Sequence, residues 1–429
     1  MKKLFTLLAV TIAFTVNAQT NTNTGIESLN SNTSGTSNSA FGYRSLKFNI
    51  SGKRITAVGA ESLLNNTANN ISAFGYGSLR SNTSGTNNSA FGYLSLESNT
   101  GGKDNSAFGD LALEDNSTGA QNTAVGYQTL KNNLVGVANT SVGSRSMETN
   151  NSSFNTAVGY QSLAGNNWGM SITNANYNTA VGYLALQKNE GSRNVATGAW
   201  TLKTNSSGND NVATGYYALH LNTTASFNTA YGSMSLYSNT GANNTALGYR
   251  SLKSNTTGAN NTAFGYKAEA SANNATNQTV IGYEATGQGD NSVVLGNDDV
   301  TAVYMGEDSG AKVYAGEGSF TGNMTIGGDV VVSSDARLKE NIVSLGSTLA
   351  KLLLIDGKRY TMKKDGKQKI GVLAQDIQKV FPELVTTDDK EMLAVNYQGL
   401  VPVLINAIKE QDDKISRLEK LVEKLISDK

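Results

Sequence analysis

A serine and a lysine five residues apart are the residues of this chain best suited to covalent chemistry. They lie at the two ends of the stretch Ser334-Asp335-Ala336-Arg337-Leu338-Lys339. A serine hydroxyl becomes a nucleophile only when a base removes its proton. The sole histidine of the chain, His220, lies in a distant repeat region, so Lys339 is the candidate base. A lysine in this role must be neutral, which burial or a neighbouring cation such as Arg337 would favour.

The segment that begins with this stretch differs in composition from everything before it. Residues 335–429 hold 17 of the 34 Lys and Arg and 15 of the 34 Asp and Glu. Three motifs follow in order: S-D-x-R-L-K-x-N-I at 334–342, G-V-L-A-Q-D-I-Q-K-V-F-P-E-L-V at 371–385, and V-N-Y at 395–397 with A-I-K-E at 407–410. Together they resemble the intramolecular chaperone auto-processing domain at the C-termini of endosialidase tailspikes and phage tail fibres. The resemblance implies that residues 334–429 drive trimerisation and then cut the chain between Ser334 and Asp335, with Ser334 and Lys339 as the catalytic pair.

The chemistry of that cut is left open by the sequence. A serine hydroxyl reaches the preceding carbonyl through a five-membered ring, but its own carbonyl only through a strained four-membered ring. An activated water, the Asp335 carboxylate or Ser334 of a neighbouring chain would each ease attack on the Ser334–Asp335 bond. The alternative interpretation is that Ser334 is an ordinary turn or helix-cap residue.

The elements around this pair are predicted from hydrophobic periodicity and turn signals. We expect an apolar helix over 345–355, a hairpin that joins 358–362 to 369–373 around Asp365-Gly366, and an amphipathic helix over 374–381. The last helix has heptads that predict a coiled coil over 401–426. Polar Gln411 and the family resemblance favour a trimer over the dimer that β-branched a positions would suggest. Position a holds Val401, Ile408, Ile415 and Val422, and position d holds Leu404, Gln411, Leu418 and Leu425.

Residues 19–296 repeat a unit that reads N-[TS]-A-[VF]-G-Y-x-S-L-x-x-N-x-x-G, mostly every 16 or 17 residues. One step of 23 residues carries an insert at 168–173, and the last step is 14. A short period over so many copies predicts a solenoid, and we expect two short strands per unit stacked in parallel ladders. The repeats are similar to the heads of trimeric autotransporter adhesins, which implies a left-handed β-roll assembled as a trimer. The fold class is therefore mainly β, with 14–17-residue repeats, a β neck over 297–333 and a small α+β domain.

A few positions in the repeats depart from the pattern. Thr197 and Thr214 replace Val or Phe before the glycine, and we interpret them as drifted core positions rather than a ligand site. The aromatic rings of Trp200 and the Trp168 insert, near His220, offer surfaces on which sugar rings could stack. The many N-x-[ST] triplets are interpreted as turn residues rather than glycan acceptors.

The N-terminus predicts export. Met1-Lys2-Lys3 is a basic start, residues 4–16 are apolar, and cleavage is expected near Ala18-Gln19, so that residues 1–18 are a signal peptide. An uncleaved anchoring helix is the alternative, but the apolar run is short for a membrane span. The mature chain is expected to be secreted or at the cell surface without a membrane span.

Composition narrows the partners. The formal net charge is zero, which argues against nucleic acid, and the absence of cysteine excludes disulfides and thiol chemistry. No cofactor or metal is expected. The partners are other copies of the chain, with host or cell-surface glycans or proteins as candidates.

Three functions fit to different degrees. The leading hypothesis is an exported trimeric fibre whose C-terminal domain assembles it and cleaves itself as a serine-type endopeptidase. The alternative is a structural or adhesive fibre that keeps this domain attached. A glycan-degrading enzyme would need paired carboxylates in a cleft, and scattered acids such as Glu97, Asp110 and Glu114 form no recurring pair.

Overall fold

The computed structural model describes residues 21–165, 174–305, 332–363, 366–388 and 391–428, with residues 313, 318, 324, 326 and 330 between them. These residues belong to two compact units, 1–312 and 313–429. The predicted signal peptide, the insert at 168–173, most of the neck and Asp365 lie outside the described residues. Residues 300–304 of the neck are described and lie in no strand.

The repeats form a parallel β-solenoid with one short strand per turn. Each strand pairs in register with the strands one turn before and after it, so that equivalent residues lie in columns along the solenoid. The strands are β1 (Asn21–Thr24), β2 (Asn38–Phe41), β3 (Ile55–Val58), β4 (Ile71–Phe74), β5 (Ser89–Phe91), β6 (Ser106–Phe108), β7 (Thr123–Val125), β8 (Thr140–Val142), β9 (Thr156–Val158), β10 (Thr179–Val181), β11 (Val195–Thr197), β12 (Val212–Thr214), β13 (Thr229–Tyr231), β14 (Thr245–Leu247), β15 (Thr262–Phe264), β16 (Thr279–Ile281) and β17 (Val293–Leu295).

The second strand predicted for each unit is not formed in the described turns. In its place every second residue has a left-handed backbone, with φ of 55° at Gln128 and 52° at Leu130. The Gln128 N–H donates to Asp110 O of the preceding turn, and the Leu130 N–H donates to Ser146 O of the following turn, both at 3.0 Å. A left-handed leucine costs about 1–2 kcal/mol, which full burial of its side chain, about 1.5–3 kcal/mol, can offset.

Columns of asparagine amides fill the polar part of the interior. The Asn122 N–H donates to Asn105 Oδ1 at 3.0 Å, and its Nδ2 donates to Gly136 O at 2.9 Å. Asn116 Nδ2 likewise donates to Asn99 Oδ1 at 2.8 Å. These side chains are fully buried, and Asn116 is the asparagine of an N-x-[ST] triplet. The burial supports the interpretation of such triplets as turn residues.

The glycine after each strand is required by the stacking. A Cβ on Gly126, whose φ is 131°, would lie 2.8 Å from the carbonyl carbon and oxygen of Gly143 in the next turn. Gly101 offers a matched control, because its Cβ would meet only Ser84 Oγ at 3.4 Å.

We therefore expect Gly126→Ala to destabilise the solenoid by at least about 2 kcal/mol, from the left-handed backbone and the clash together. Gly101→Ala should leave the melting temperature almost unchanged. Thermal unfolding followed by circular dichroism measures both, and equal melting temperatures for the two variants would contradict the stacking described above.

The C-terminal unit is a small α+β domain. It contains α1 (Leu349–Leu352), the antiparallel hairpin of β18 (Lys358–Thr361) and β19 (Gln368–Gly371), α2 (Ala374–Val380), the pair β20 (Val385–Thr387) and β21 (Leu393–Val395), and α3 (Leu400–Ser427), with 3₁₀ turns at Ala336–Leu338 and Pro382–Leu384. The predicted hairpin, the helix at 374–381 and the long last helix are present. The helix predicted over 345–355 is shorter, because Gly346 has a φ of 65° and the next residues bind Glu410.

The core of this domain is small. Ile377 and Phe381 of the α2 region pack with Val403 of α3, and partly buried apolar residues surround them. Most of the apolar face of α3 is exposed, including Ile408, Ile415 and Leu418. So small a core is typical of domains that gain stability from further contacts.

Candidate functional site

A tight turn brings the predicted catalytic pair together. Asp335 caps a 3₁₀ turn at Ala336–Leu338, with its carboxylate accepting from the Arg337 N–H at 2.9 Å, and Lys339 then returns to extended backbone. Lys339 Nζ donates a hydrogen bond to Ser334 Oγ at 2.7 Å. The contact places the base within reach of the hydroxyl proton, which is the first geometric requirement for a Ser-Lys pair.

The Asp335 carboxylate is held by Arg337. The guanidinium Nη2 lies 2.6 Å from Oδ2, and Nε lies 3.1 Å from both carboxylate oxygens. The Arg337 hydrogen bonds lower the pKa of Asp335 below its ordinary value. A carboxylate bound in this way is a poor nucleophile, which disfavours Asp335 among the three devices that would ease attack on the Ser334–Asp335 bond.

The surroundings of Lys339 differ from those expected. Ser334 and Lys339 are both exposed in the single chain. Arg337, expected as a neighbouring cation, is neutralised by Asp335. The protomer thus supplies the contact between hydroxyl and amine, but not the burial that would favour a neutral lysine.

Glu410 ties the segment after the motif to the last helix, and sequence reasoning did not predict this role. Its carboxylate accepts from Ser347 Oγ at 2.6 Å, from the Thr348 N–H and from the Leu349 N–H at 3.2 Å. These bonds cap the N-terminus of α1, and they lower the pKa of Glu410. The A-I-K-E motif at 407–410 was the available signal, but its partners lie about 60 residues away in the sequence.

Gly371 of the second motif lies close to the hydroxyl groups of two tyrosines. A Cβ there would lie 2.8 Å from Tyr397 Oη and 3.1 Å from Tyr360 Oη. Tyr397 Oη also accepts from the Val372 N–H at 3.2 Å. The two rings border an open groove of about 250 Å³ beside Gln375. Residues of the second and third motifs are thus in contact here, next to the N-terminus of α2.

The repeat residues singled out for sugar binding are engaged with one another. Trp200 stacks on Tyr217 at 5.7 Å, and His220 stacks on Tyr237 at 5.5 Å. Lys203 Nζ lies 4.1 Å from the centre of the Trp200 ring. Their ring faces are largely covered within the cluster, which weakens the stacking hypothesis for these residues.

The interpretation of Thr197 and Thr214 as drifted core positions is wrong. The last residue of these strands points outward: Val158 and Val181 are 38% and 37% exposed, whereas the alanines before them are fully buried. Thr197 and Thr214 continue this outward column at the ends of β11 and β12. The inward position of the strand is mostly alanine, as at Ala157 and Ala180, and the bulkier residue lies outside.

The acids considered for glycan hydrolysis are engaged separately. Glu97 pairs with Arg80 at 3.4 Å, Glu114 pairs with Lys131 at 3.1 Å, and Asp110 accepts from the Tyr93 N–H at 2.8 Å. These contacts are ladder interactions between neighbouring turns rather than a catalytic carboxylate pair.

Glu269 is a partly buried carboxyl in the solenoid. It accepts from the Ser254 N–H at 3.2 and 3.3 Å, yet burial raises its pKa to about 7. In the unfolded chain the group titrates near 4.5. The unfolded chain therefore loses this proton at a lower pH than the folded chain, and stability should fall as the pH rises from about 4.5 to 7.

We expect Glu269→Gln to remove much of that loss, which is measured as the difference in melting temperature between pH 5 and pH 8. Glu284→Gln is the control, because Lys267 lowers the pKa of Glu284 and its effect falls below this window. An unchanged pH difference in Glu269→Gln would contradict the assignment.

Within the described part of the chain, no helix has both the length and the apolar character needed to cross a membrane. The long helix α3 carries charges along its length.

Comparison with known proteins agrees with the C-terminal motifs. Residues 334–386 match the family described as the chaperone of endosialidase. The chain is also similar to the long tail fiber protein Gp37 of Escherichia phage AR1, 36% identical over 92 residues, which covers 19% of this chain and 8% of that protein. The same protein of Salmonella phage S16 is 31% identical over 108 residues, covering 23% of this chain and 14% of the phage protein. The chain thus spans a small part of these relatives, and the resemblance of the C-terminal segment to the tail-fibre chaperone family is confirmed.

Proposed function

We propose that this chain is an exported trimeric fibre protein whose C-terminal domain assembles the trimer and then cleaves itself between Ser334 and Asp335. The observation that carries the proposal is the 2.7 Å contact of Lys339 Nζ with Ser334 Oγ, at the first residues of the segment that matches the endosialidase chaperone. Residues 1–18 act as the signal peptide, and the mature fibre is secreted or held at the cell surface.

The trimer is supported by apolar surfaces on both units. The outward column of the solenoid includes Phe108, Val125 and Val142, each 37–42% exposed. The a and d residues of α3, such as Ile408 and Leu418, are 60–64% exposed. Rows of exposed apolar side chains are typical of protein contacts, and both rows run along their units as a parallel assembly requires.

Cleavage of the amide bond between Ser334 and Asp335 produces a carboxylate at Ser334 and an amine at Asp335. Neutral Lys339 accepts a proton from the Ser334 hydroxyl of its own chain, which then attacks a neighbouring chain, or, through that hydroxyl, from a water. The resulting nucleophile attacks the Ser334 carbonyl, and the Asp335 nitrogen leaves as an amine after taking up that proton. Water supplies the oxygen of the new carboxylate at Ser334, either directly or by hydrolysis of an ester. Burial of Lys339 on assembly would make cleavage follow trimerisation.

Native mass spectrometry of the purified protein tests the assembly. We expect trimers of the repeat region both before and after cleavage, since the outward column remains in the large fragment. A stable folded monomer would contradict the proposal. A trimer of full-length chains only would favour the alternative, a structural or adhesive fibre that keeps its trimerisation domain, with host glycans or proteins as candidate partners.

A further inference from the structure

The two outward positions within each strand are filled in a regular way, although the residue type along each column of stacked strands is not constant. Each strand from β2 to β16 has two outward positions that flank a buried residue, which is alanine except for Ser141 in β8 and Val280 in β16. One of the two holds Ser or Thr, and the other holds an apolar or aromatic residue. The pair is Ser with Phe in β2, β4, β5 and β6, and Thr with Val in β3 and β7 to β10. In β13 to β16 it is Thr with Tyr, Leu, Phe or Ile.

The order of the pair is reversed in two neighbouring strands. β11 reads Val195-Ala196-Thr197 and β12 reads Val212-Ala213-Thr214, whereas the strands before them read Thr-Ala-Val. The parallel ladder remains in register through the reversal, with Val195 opposite Thr179 and Thr197 opposite Val181. Each of these strands therefore still presents one hydroxyl and one apolar side chain outward, even though Val and Thr have exchanged positions.

The interior gives no reason for the reversal. Ala196 and Ala213 remain fully buried, as in the neighbouring turns. Val195 and Val212 are 36% and 42% exposed, close to the 37% of Val181 in the usual order. Because each column contains both Val and Thr at this point, the contacts between turns do not require a fixed order either.

We infer that the two outward positions meet across a contact between copies of this chain. The outward position before the buried residue in one copy contacts the outward position after the buried residue in the next copy, and both belong to the same strand of the solenoid. In such a contact the reversal exchanges the partners and keeps one hydroxyl facing one apolar group. An antiparallel dimer would bring different levels together and would not link two positions of one strand. The pairing rule thus indicates a parallel, in-register, cyclic assembly with heterologous contacts. This inference rests on the proposed trimer and names its contact face.

Cross-linking between two differently tagged full-length chains tests the inference. The chain has no cysteine, so introduced thiols are unique. One chain carries Val195→Cys and the other Thr197→Cys, and the co-expressed assembly is treated with a short bifunctional maleimide. The height control joins Val195→Cys to Leu247→Cys, three strands along the solenoid and about 14 Å away at the usual strand spacing. Each single variant alone is the homotypic control.

We expect the 195–197 pair to cross-link several-fold faster than either single variant, and the 195–247 pair not to cross-link. A mixed pair no faster than Thr197→Cys alone would overturn the inference, because it indicates a two-fold or unrelated contact. The inference would also be overturned if native mass spectrometry shows trimers but none of the cysteine variants cross-links, because the outward face of the strands then lies outside the contact. A monomer would instead refute the proposed trimer itself.

A reversal variant gives a second readout. Val195→Thr with Thr197→Val restores the usual order and should leave the melting temperature unchanged. Val195→Thr alone places two hydroxyls in contact, Thr197→Val alone places two apolar groups there, and each should shift it by a few degrees. Additive shifts, with no coupling between the two positions, would count against a shared contact.

Discussion

Replacing Ser334 by alanine is expected to leave full-length chains that still assemble, while the wild-type chain divides into two fragments. The hydroxyl is required for the chemistry, whereas assembly depends on the apolar surfaces of the solenoid and α3. Ser333→Ala is the matched control, because it removes the neighbouring hydroxyl and should cut at the normal rate. Denaturing gel electrophoresis after purification without added protease measures the fraction cut.

Lys339 separates the chemical role from a structural one. Lys339→Ala should abolish cutting, and Lys339→Arg should do the same although it keeps a positive charge and hydrogen-bond donors beside Ser334. A guanidinium stays protonated and cannot serve as a base. Normal cutting in both the Ser334→Ala and Lys339→Ala variants would remove these residues from the mechanism.

Deleting residues 335–429 from the gene should leave the repeats aggregated or unfolded. The shortened chain keeps its exposed outward column but loses the helix that would set the register between chains. Soluble trimers of the deleted chain would contradict a chaperone role for this domain.

A point change in α3 tests the same role in the whole chain. Ile415 lies at an a position, in the seam where the helices of the predicted coiled coil would meet, and it is 47% exposed. Ile415→Asp should therefore greatly reduce the yield of soluble trimer. Asp413→Ala on the same helix lies away from the seam and is the control. Light scattering of the soluble fraction compares the two, and equal trimer yields would argue against a coiled coil at 401–426.

Much of the fold could be predicted because it depends on local, repeated requirements. The glycine of each unit is needed for close stacking, as at Gly126, and its period alone predicts a solenoid. Whether the Val and Phe side chains point into the solenoid or away from it could not be predicted, because an apolar residue fits either a narrow core or a contact with another chain. The second strand was wrongly predicted because leucine is buried equally well from a left-handed backbone, as Leu130 shows.

The candidate site could be predicted only in part. The spacing of Ser334 and Lys339 indicated the pair, and the 3₁₀ turn capped by Asp335 explains why five residues suffice. The binding of Asp335 by Arg337 depends on local geometry that the residue types do not determine. The contacts of Glu410 join segments far apart in the chain, and a single sequence does not reveal such pairs.

The identity of the small fragment tests the central claim most directly. Its mass and N-terminal sequence should show a chain of 95 residues, 335–429, that begins at Asp335 and forms without added protease. A fragment that begins at Ser334 would instead indicate attack on the preceding carbonyl. A wild-type trimer whose chains remain full length would contradict self-cleavage at Ser334–Asp335.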